Sequence, residues 1–273
     1  MDIDLDTGKL FVFVGGITLF TFIEALFPKR QQQMTSIQRF SFHVVVALFN
    51  TVFVRTLIYV PFLYWLVHVE QSGWGLSRWF GLSGWTEIIC SILVLDLFDY
   101  FWHRFNHRVP FLWRFHKAHH TDTETDVSTS LRFHPGELAI SGIVKATWLV
   151  IWGPTVISWF MFEVMVSLCA QFHHSNIDIS DKIEKNLVRF LVTPRFHAAH
   201  HAVDRRYGDA NFSTILSIWD PLFGTFQRPC EGGATTLGID KIGLPEGRNL
   251  AFSPRSWICE PFSGRNMNLE AKN

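Results

Sequence analysis

The chain has 273 residues, 48% of them hydrophobic and 15% aromatic, with 27 Phe and 11 Trp. Its 24 basic and 24 acidic residues cancel, so it lacks the basic excess that nucleic acid requires, and its apolar content excludes intrinsic disorder. The totals describe a protein of one or two domains that lives in lipid.

The apolar residues fall into runs. Residues 10–27 contain one charge, Glu24, and are preceded by Asp2, Asp4 and Asp6 where a cleavable signal would have a basic stretch. Residues 40–66 contain only Arg55, read as snorkelling or paired, with Pro61 near the far end. Both runs reach the roughly 20 residues that cross a hydrocarbon core of about 30 Å. Residues 86–102 hold Glu87, Asp96 and Asp99, so this run crosses only if its carboxylates face protein. Residues 139–172 contain Lys145 and Glu163 and are interrupted by Gly153-Pro154. As one helix that last run would extend about 51 Å, so a shallow hairpin turning at Gly153-Pro154 is expected. Trp65, Trp74, Trp79, Trp85, Trp102 and Trp113 flank these runs as an interfacial belt would.

Lys29, Arg30 and Arg39 follow the first run, which assigns that loop to the cytoplasm. Counting crossings, the segment after residue 102 and everything beyond residue 172 share that side. The expected fold is all-α: a polytopic membrane protein with four or five membrane helices and a cytoplasmic, histidine-rich helical cap. Its parts are N-terminal membrane helices over 1–85, a central region of membrane helices and histidine-rich cap over 86–227, and a cytoplasmic tail over 228–273. Cys90, Cys169, Cys230 and Cys259 are widely separated and form no C-x-x-C pair, which argues against a disulfide framework or a cysteine zinc site.

The histidines carry the chemistry. Of 13, 11 lie between positions 103 and 201. His103 and His107 form H-x-x-x-H. His116, His119 and His120 form H-x-x-H-H, and His197, His200 and His201 repeat it. Between them stand His134 in LRFHPGE and the pair His173-His174 in QFHHSN. Residues three and four apart share a helix face, so each cluster aims imidazoles in one direction. Neutral imidazole is a ligand for iron, zinc, copper and nickel. A structural zinc ion takes four ligands and a catalytic one about three. Eight to eleven imidazoles therefore suit two ions with open positions, and redox-active iron suits O2 chemistry that zinc cannot perform. Zinc could still occupy the site in a purified sample. Because ligands must be neutral, metal loading should weaken as pH falls through about 6.5.

The order H-x-x-x-H, H-x-x-H-H, H-H-S-N, H-x-x-H-H resembles the fatty acid hydroxylase/sterol desaturase superfamily of integral membrane di-iron oxygenases. The likeness covers roughly residues 86–227, including DYFWHRFNHRVPFLWRFHKAHH, SLRFHPGE and RYGDANFSTILSIWDPLFGTF. It implies two Fe ions, O2 as co-substrate, and hydroxylation or desaturation of a lipid such as a sterol or fatty acyl chain. It also implies an external electron donor, either a ferredoxin or a cytochrome b5-type protein with its reductase. By the same resemblance, His103, His107, His116, His119, His120, His197, His200 and His201 look like metal ligands. His134 and one or both of His173 and His174 complete the set, with His174 slightly favoured. The sequence shows no fused cytochrome b5 domain and no endoplasmic reticulum retrieval signal at NLEAKN, which favours a bacterial inner membrane.

Asp96, Asp99, His103 and His107 lie near one helical stripe, so Asp99 is expected to hydrogen-bond a ligand imidazole. Glu137 and Asn176, close to His134 and His174, are assigned the same task. His43 and His68, outside the clusters, are read as structural or interfacial. Asp204, Arg205, Tyr207 and Asp220 are read as folding the cap or shaping the electron-donor surface. Two other functions remain open: a zinc-dependent membrane hydrolase, distinguished by indifference to O2 and reductant, and a non-catalytic metal-binding protein that would tolerate loss of His119.

Overall fold

The computed structural model describes residues 5–32, 34, 36–228, 236–239, 252, 254–259 and 261. Cys230, Asp2, Asp4, the side chains of Asp6 and Arg55, and most of the expected tail over 228–273 lie outside the described residues. Among those described there is no strand. Two isolated bridges, Pro28 to Ile177 and Ala202 to Leu237, tie loops together. The longer helices are α1 (Leu5–Leu26), α2 (Ser36–Asn50), α3 (Val60–Ser72), α4 (Gly84–Arg108), α5 (Pro110–His120), α6 (Pro135–Trp152) and α7 (Val156–His174). Two shorter ones, α8 (Asp181–Leu187) and α9 (Pro194–His200), complete the cap. A π-helical stretch, Thr51–Tyr59, joins α2 to α3.

Three described helical segments are long and apolar enough to cross a membrane: Thr7–Leu26, Ile37–Trp79 and Val156–His174. Only 11%, 12% and 28% of their most apolar windows are buried within the protein. The remaining apolar surface, including Leu10, Phe11, Phe22, Val45 and Leu48, is what a lipid-facing helix presents. Ile37–Trp79 is interrupted at Gly73 and Gly75, both at positive φ, so its continuous part ends at Ser72 and would extend about 54 Å from Ile37 as one rod, well beyond the hydrocarbon thickness. The helix thus runs past the boundaries expected from the 40–66 run, because Val67, His68 and Val69 continue the pattern until Gly73 caps it in the left-handed conformation.

In α4 the three carboxylates face protein. Glu87 accepts hydrogen bonds from Ser91, Ser158 and both the N–H and hydroxyl of Thr155. Asp96 accepts from the backbone N–H groups of Ile215 and Leu216 and from the Trp219 indole. Asp99 pairs with Lys145 at 3.2 Å. With every acid in α4 partnered, its cost in a low-dielectric setting is largely offset.

The expected break at Gly153-Pro154 separates α6 from α7. Gly153 ends α6 at φ 72°, and a Cβ there would lie 2.0 Å from the Trp74 carbonyl oxygen. Only glycine meets both demands. His134 at the start of α6 and His174 at the end of α7 lie at the opposite end, so the chain leaves the histidine cap and returns to it. Phe62, Leu66, Leu95, Leu149, Trp159, Phe162 and Ile215 form the core between α3, α4, α6 and α7.

Beneath the cap lies a buried ionic network. Arg39 on α2 makes two 2.9 Å bonds to Asp122 and a 2.6 Å bond to Asp126. Burial alone would raise the Asp122 pKa, but the Arg39 guanidinium overrides it and holds this carboxyl well below the ordinary range. His43 reaches Ser128 at 2.7 Å, and Arg132 donates to the Ala118 carbonyl and the Thr121 hydroxyl. His43 is therefore structural, as expected. His68 stacks on Trp65.

Candidate metal centre

Two adjoining groups of imidazoles converge at the cap. One contains His103, His107, His116, His120 and His200; the other contains His119, His174, His197 and His201. Within each group the candidate ligand atoms all lie within 4.8 Å of one another. Helix geometry explains the division. Positions i and i+4 point about 40° apart, whereas i+3 turns the other way. In the first H-x-x-H-H box His116 and His120 join the five-histidine group and His119 crosses to the other. In the second box His197 and His201 join the four-histidine group while His200 crosses back. Each box thus serves both groups.

The outer ring nitrogens set the protonation of the inner ones. His119 Nδ1 donates to the Arg132 carbonyl at 3.1 Å and His174 Nδ1 to the Ala170 carbonyl at 2.7 Å. A carbonyl can only accept, so each Nδ1 carries the proton of its neutral ring and each Nε2 is a bare lone pair. Yet those two Nε2 atoms are 3.0 Å apart. No hydrogen bond can join them. A cation with metal–nitrogen bonds of about 2.1 Å and cis angles near 90° places two donors at about this separation. The Nε2 of His197 lies 3.0 Å from that of His174 and 3.1 Å from that of His201, and the Nδ1 atoms of His197 and His201 have no protein partner.

The five-histidine group is set in the same way. His103 Nδ1 donates to the Phe212 carbonyl, His200 Nδ1 to the Ala210 carbonyl, and His116 Nδ1 to Glu137 at 2.7 Å. His120 Nε2 lies 3.2 Å from the Nε2 atoms of both His107 and His116. Burial, reinforced by neighbouring imidazoles, keeps His119, His120, His197 and His201 well below the ordinary histidine pKa. Burial also pushes His200 down to about 3. These five rings are thus neutral donors at neutral pH, and the all-imidazole set fits a pair of divalent first-row ions such as iron.

The segment after the second box holds the carbonyls in place. Asp220 accepts from the backbone N–H groups of Phe212 and Ser213, and Asp96 secures the next turn from α4. Asn211 sits at φ 59° and bonds the backbone of Phe196 and Gln227 on either side. This turn presents Ala210 and Phe212 to His200 and His103. Asp220 therefore folds the cap as expected.

Several expected roles are corrected. His134 belongs to neither group: its Nδ1 accepts the Gly136 N–H at 2.9 Å, capping α6, and its Nε2 faces the Ile258 carbonyl. A residue preceding proline at a helix start has orphan N–H groups nearby, and this imidazole satisfies one. His173 is also outside both groups. Its ring packs 4.0 Å from that of His197 and bonds the Thr214 backbone, leaving His174 as the member of the pair that joins the cluster. Asp99 contacts Lys145 instead of an imidazole. Asn176 joins the loop after α1, exchanging hydrogen bonds with the backbone of Arg30. Of the three expected imidazole partners, only Glu137 meets one.

A cavity of about 530 Å³ opens against the imidazoles, with His103, His116, His119, His174 and His197 in one wall. Its other walls are mostly apolar, among them Phe13, Ile58, Phe62, Phe133, Trp159 and Val166. Apolar walls of this kind accommodate an alkyl chain and shed water.

The fatty acid hydroxylase family model matches residues 88–225, which include every imidazole of both groups. The chain belongs to the fatty acid hydroxylase family. Human alkylglycerol monooxygenase is 31% identical over 157 residues, 56% of this chain and 34% of its own. The Danio rerio alkylglycerol monooxygenase is 32% identical over 53% of this chain and 31% of its own. The ornithine lipid hydroxylase OlsE of Rhizobium tropici is 27% identical over 56% of this chain and 45% of its own. The match thus spans 31% to 45% of the length of these relatives. No solved structure matches this fatty acid hydroxylase chain.

Proposed function

We propose that this chain is a membrane-bound di-iron oxygenase that uses O2 and externally supplied electrons to hydroxylate or desaturate a lipid. One observation carries the reading: two adjoining sets of buried imidazoles, with the bare Nε2 atoms of His119 and His174 brought to 3.0 Å, open on an apolar cavity. His103, His107, His116, His120 and His200 would hold one ion, and His119, His174, His197 and His201 the other. Iron held there supplies the redox chemistry that activates O2 toward an unactivated C–H bond.

The protein's own contribution is orientation, protonation and exclusion of water. The carbonyls of Arg132, Ala170, Ala210 and Phe212, with the Glu137 carboxylate, keep protons on Nδ1 and lone pairs on Nε2. Aromatic and aliphatic walls receive the alkyl chain and bring one carbon to the imidazole end. The kinship with enzymes named for alkylglycerols and ornithine lipids supports a lipid substrate. A ferredoxin or cytochrome b5-type donor would deliver electrons from the cap side. Lys29 and Arg30 lie in the loop tied to Asn176 next to His174, which supports reading that side as cytoplasmic, in a bacterial inner membrane as expected from the sequence.

Lipid mass spectrometry of a host with and without the protein tests the activity. A hydroxylated or desaturated lipid that requires O2 and disappears in His119→Ala supports it. A product formed without O2 would instead indicate a hydrolase.

A further inference from the structure

The cavity has a second polar feature besides its imidazole wall. Lys9, Asp99, Lys145 and Glu163 all line it, and they come from α1, α4, α6 and α7. Lys9 Nζ lies 2.8 Å from Glu163 Oε2, and Lys145 Nζ lies 3.2 Å from Asp99 Oδ1 and 3.3 Å from Oδ2. Asp99 is one turn before His103, about 6 Å along α4, and Glu163 is eleven residues before His174, about 16 Å along α7. The quartet therefore sits deeper among the apolar spans than the imidazoles, where ionisable groups are costly and mark function.

Structure alone does not require these charges. Two buried ion pairs can commonly be replaced by apolar groups without loss of stability. Nor are the four sealed: their side chains keep between 10% and 25% exposure. Each ammonium has three N–H donors; Lys9 gives one to Glu163 and reaches the Tyr59 hydroxyl at 3.5 Å, while both contacts of Lys145 go to Asp99. Asp99 Oδ1, buried beside Lys145, makes no well-formed hydrogen bond. The quartet thus offers a guest both N–H donors and a carboxylate acceptor.

Its charge sum limits the guest. Two cations and two anions cancel, so an uncharged oxygen group can bond here without disturbing either pair. A carboxylate or phosphate would have to draw an ammonium from its own partner and leave that partner unpaired in a low-dielectric cavity. We propose that Lys9, Asp99, Lys145 and Glu163 form a polar subsite that receives an uncharged alcohol, ether or ester group of the lipid and rejects free carboxylates and phosphates. This rests on the reading of the cavity as the lipid site.

The test is binding, independent of turnover and of metal. Trp159 lines the cavity, so brominated sixteen-carbon probes that enter it quench its fluorescence, with Trp159→Phe identifying that signal. The probes are an alcohol, a methyl ester and a fatty acid held above its pKa, titrated into full-length protein in nanodiscs. The alcohol and ester should bind at least about tenfold tighter than the carboxylate, given the cost of an uncompensated charge. Asp99→Asn leaves one cation in excess and should raise carboxylate affinity to that of the alcohol or beyond. Glu163→Gln should do the same, so the test survives if one variant fails to fold. Equal binding of all probes by the unmodified protein, or an unchanged ratio in a folded variant, overturns the charge rule but leaves the lipid cavity standing. Absence of quenching by every probe overturns both.

Discussion

The two imidazole groups are built from the same boxes but are not equivalent. The five-histidine group draws on α4, α5 and α9, and one of its rings leans on a carboxylate, Glu137. The four-histidine group has no carboxylate among its hydrogen-bond partners in the described residues. Its anchors are the carbonyls of Arg132 and Ala170, and three of its four rings face the cavity. The lesson is one of redundancy: one group has a donor to spare and an acidic outer partner, the other has neither.

That asymmetry can be broken most severely by deletion. Removing one ring from the four-histidine group, as in His174→Ala, should abolish turnover and lower metal content by about one ion per chain, since four donors are the complement of a closed site. Removing His120 from the other group should leave more metal bound. Metal analysis of both variants, purified side by side, decides this, and equal losses would erase the distinction. Next in size is the support beneath the four-histidine group. Arg39→Met leaves Asp122 and Asp126 buried without their guanidinium and should cost about 3–5 kcal/mol. Thermal or denaturant unfolding measures it, and a change below about 1 kcal/mol would contradict the network's role.

A smaller effect separates the anchors. Glu137→Gln should weaken metal binding about 10- to 100-fold, the usual cost of losing an outer partner of a ligand histidine. Asn176→Ala, which touches no imidazole, should leave affinity unchanged. Competition with a chelator compares them. Smallest is the pH response. Folding lowers the pKa of His119, His120, His197, His200 and His201, so the unfolded chain takes up protons first as pH falls below about 6.5. The stability that these neutral rings contribute is present above that value and is lost progressively below it. Denaturation midpoints of metal-free protein at pH 7.5 and 5.5 should therefore differ, with the lower at pH 5.5. Identical midpoints would mean that the rings are not buried neutral.

The boxes, the apolar runs and the break at Gly153-Pro154 were legible because periodicity and residue type encode them directly. The division of each H-x-x-H-H box between two groups was not, since spacing reveals a shared face but not what lies opposite it. The same limit explains Asp99: its place on the stripe with His103 is real, but Lys145, 46 residues later, captures its carboxylate. Four of the five anchors are backbone carbonyls, which leave no mark in a sequence. Their supports did leave one, in Asp96, Asn211 and Asp220, polar residues in or beside apolar segments whose partners only the fold could supply. His134 and His173 show the converse, that an imidazole inside a histidine-rich stretch can be spent on a helix cap or on packing.

The most direct test of the central claim is Mössbauer spectroscopy with metal quantitation on protein prepared anaerobically with ⁵⁷Fe. The account predicts two iron ions per chain in all-nitrogen sites of two kinds, the one in the four-histidine group lost together with activity in His119→Ala. A single ion per chain, or spectra unaltered by that substitution, would contradict it.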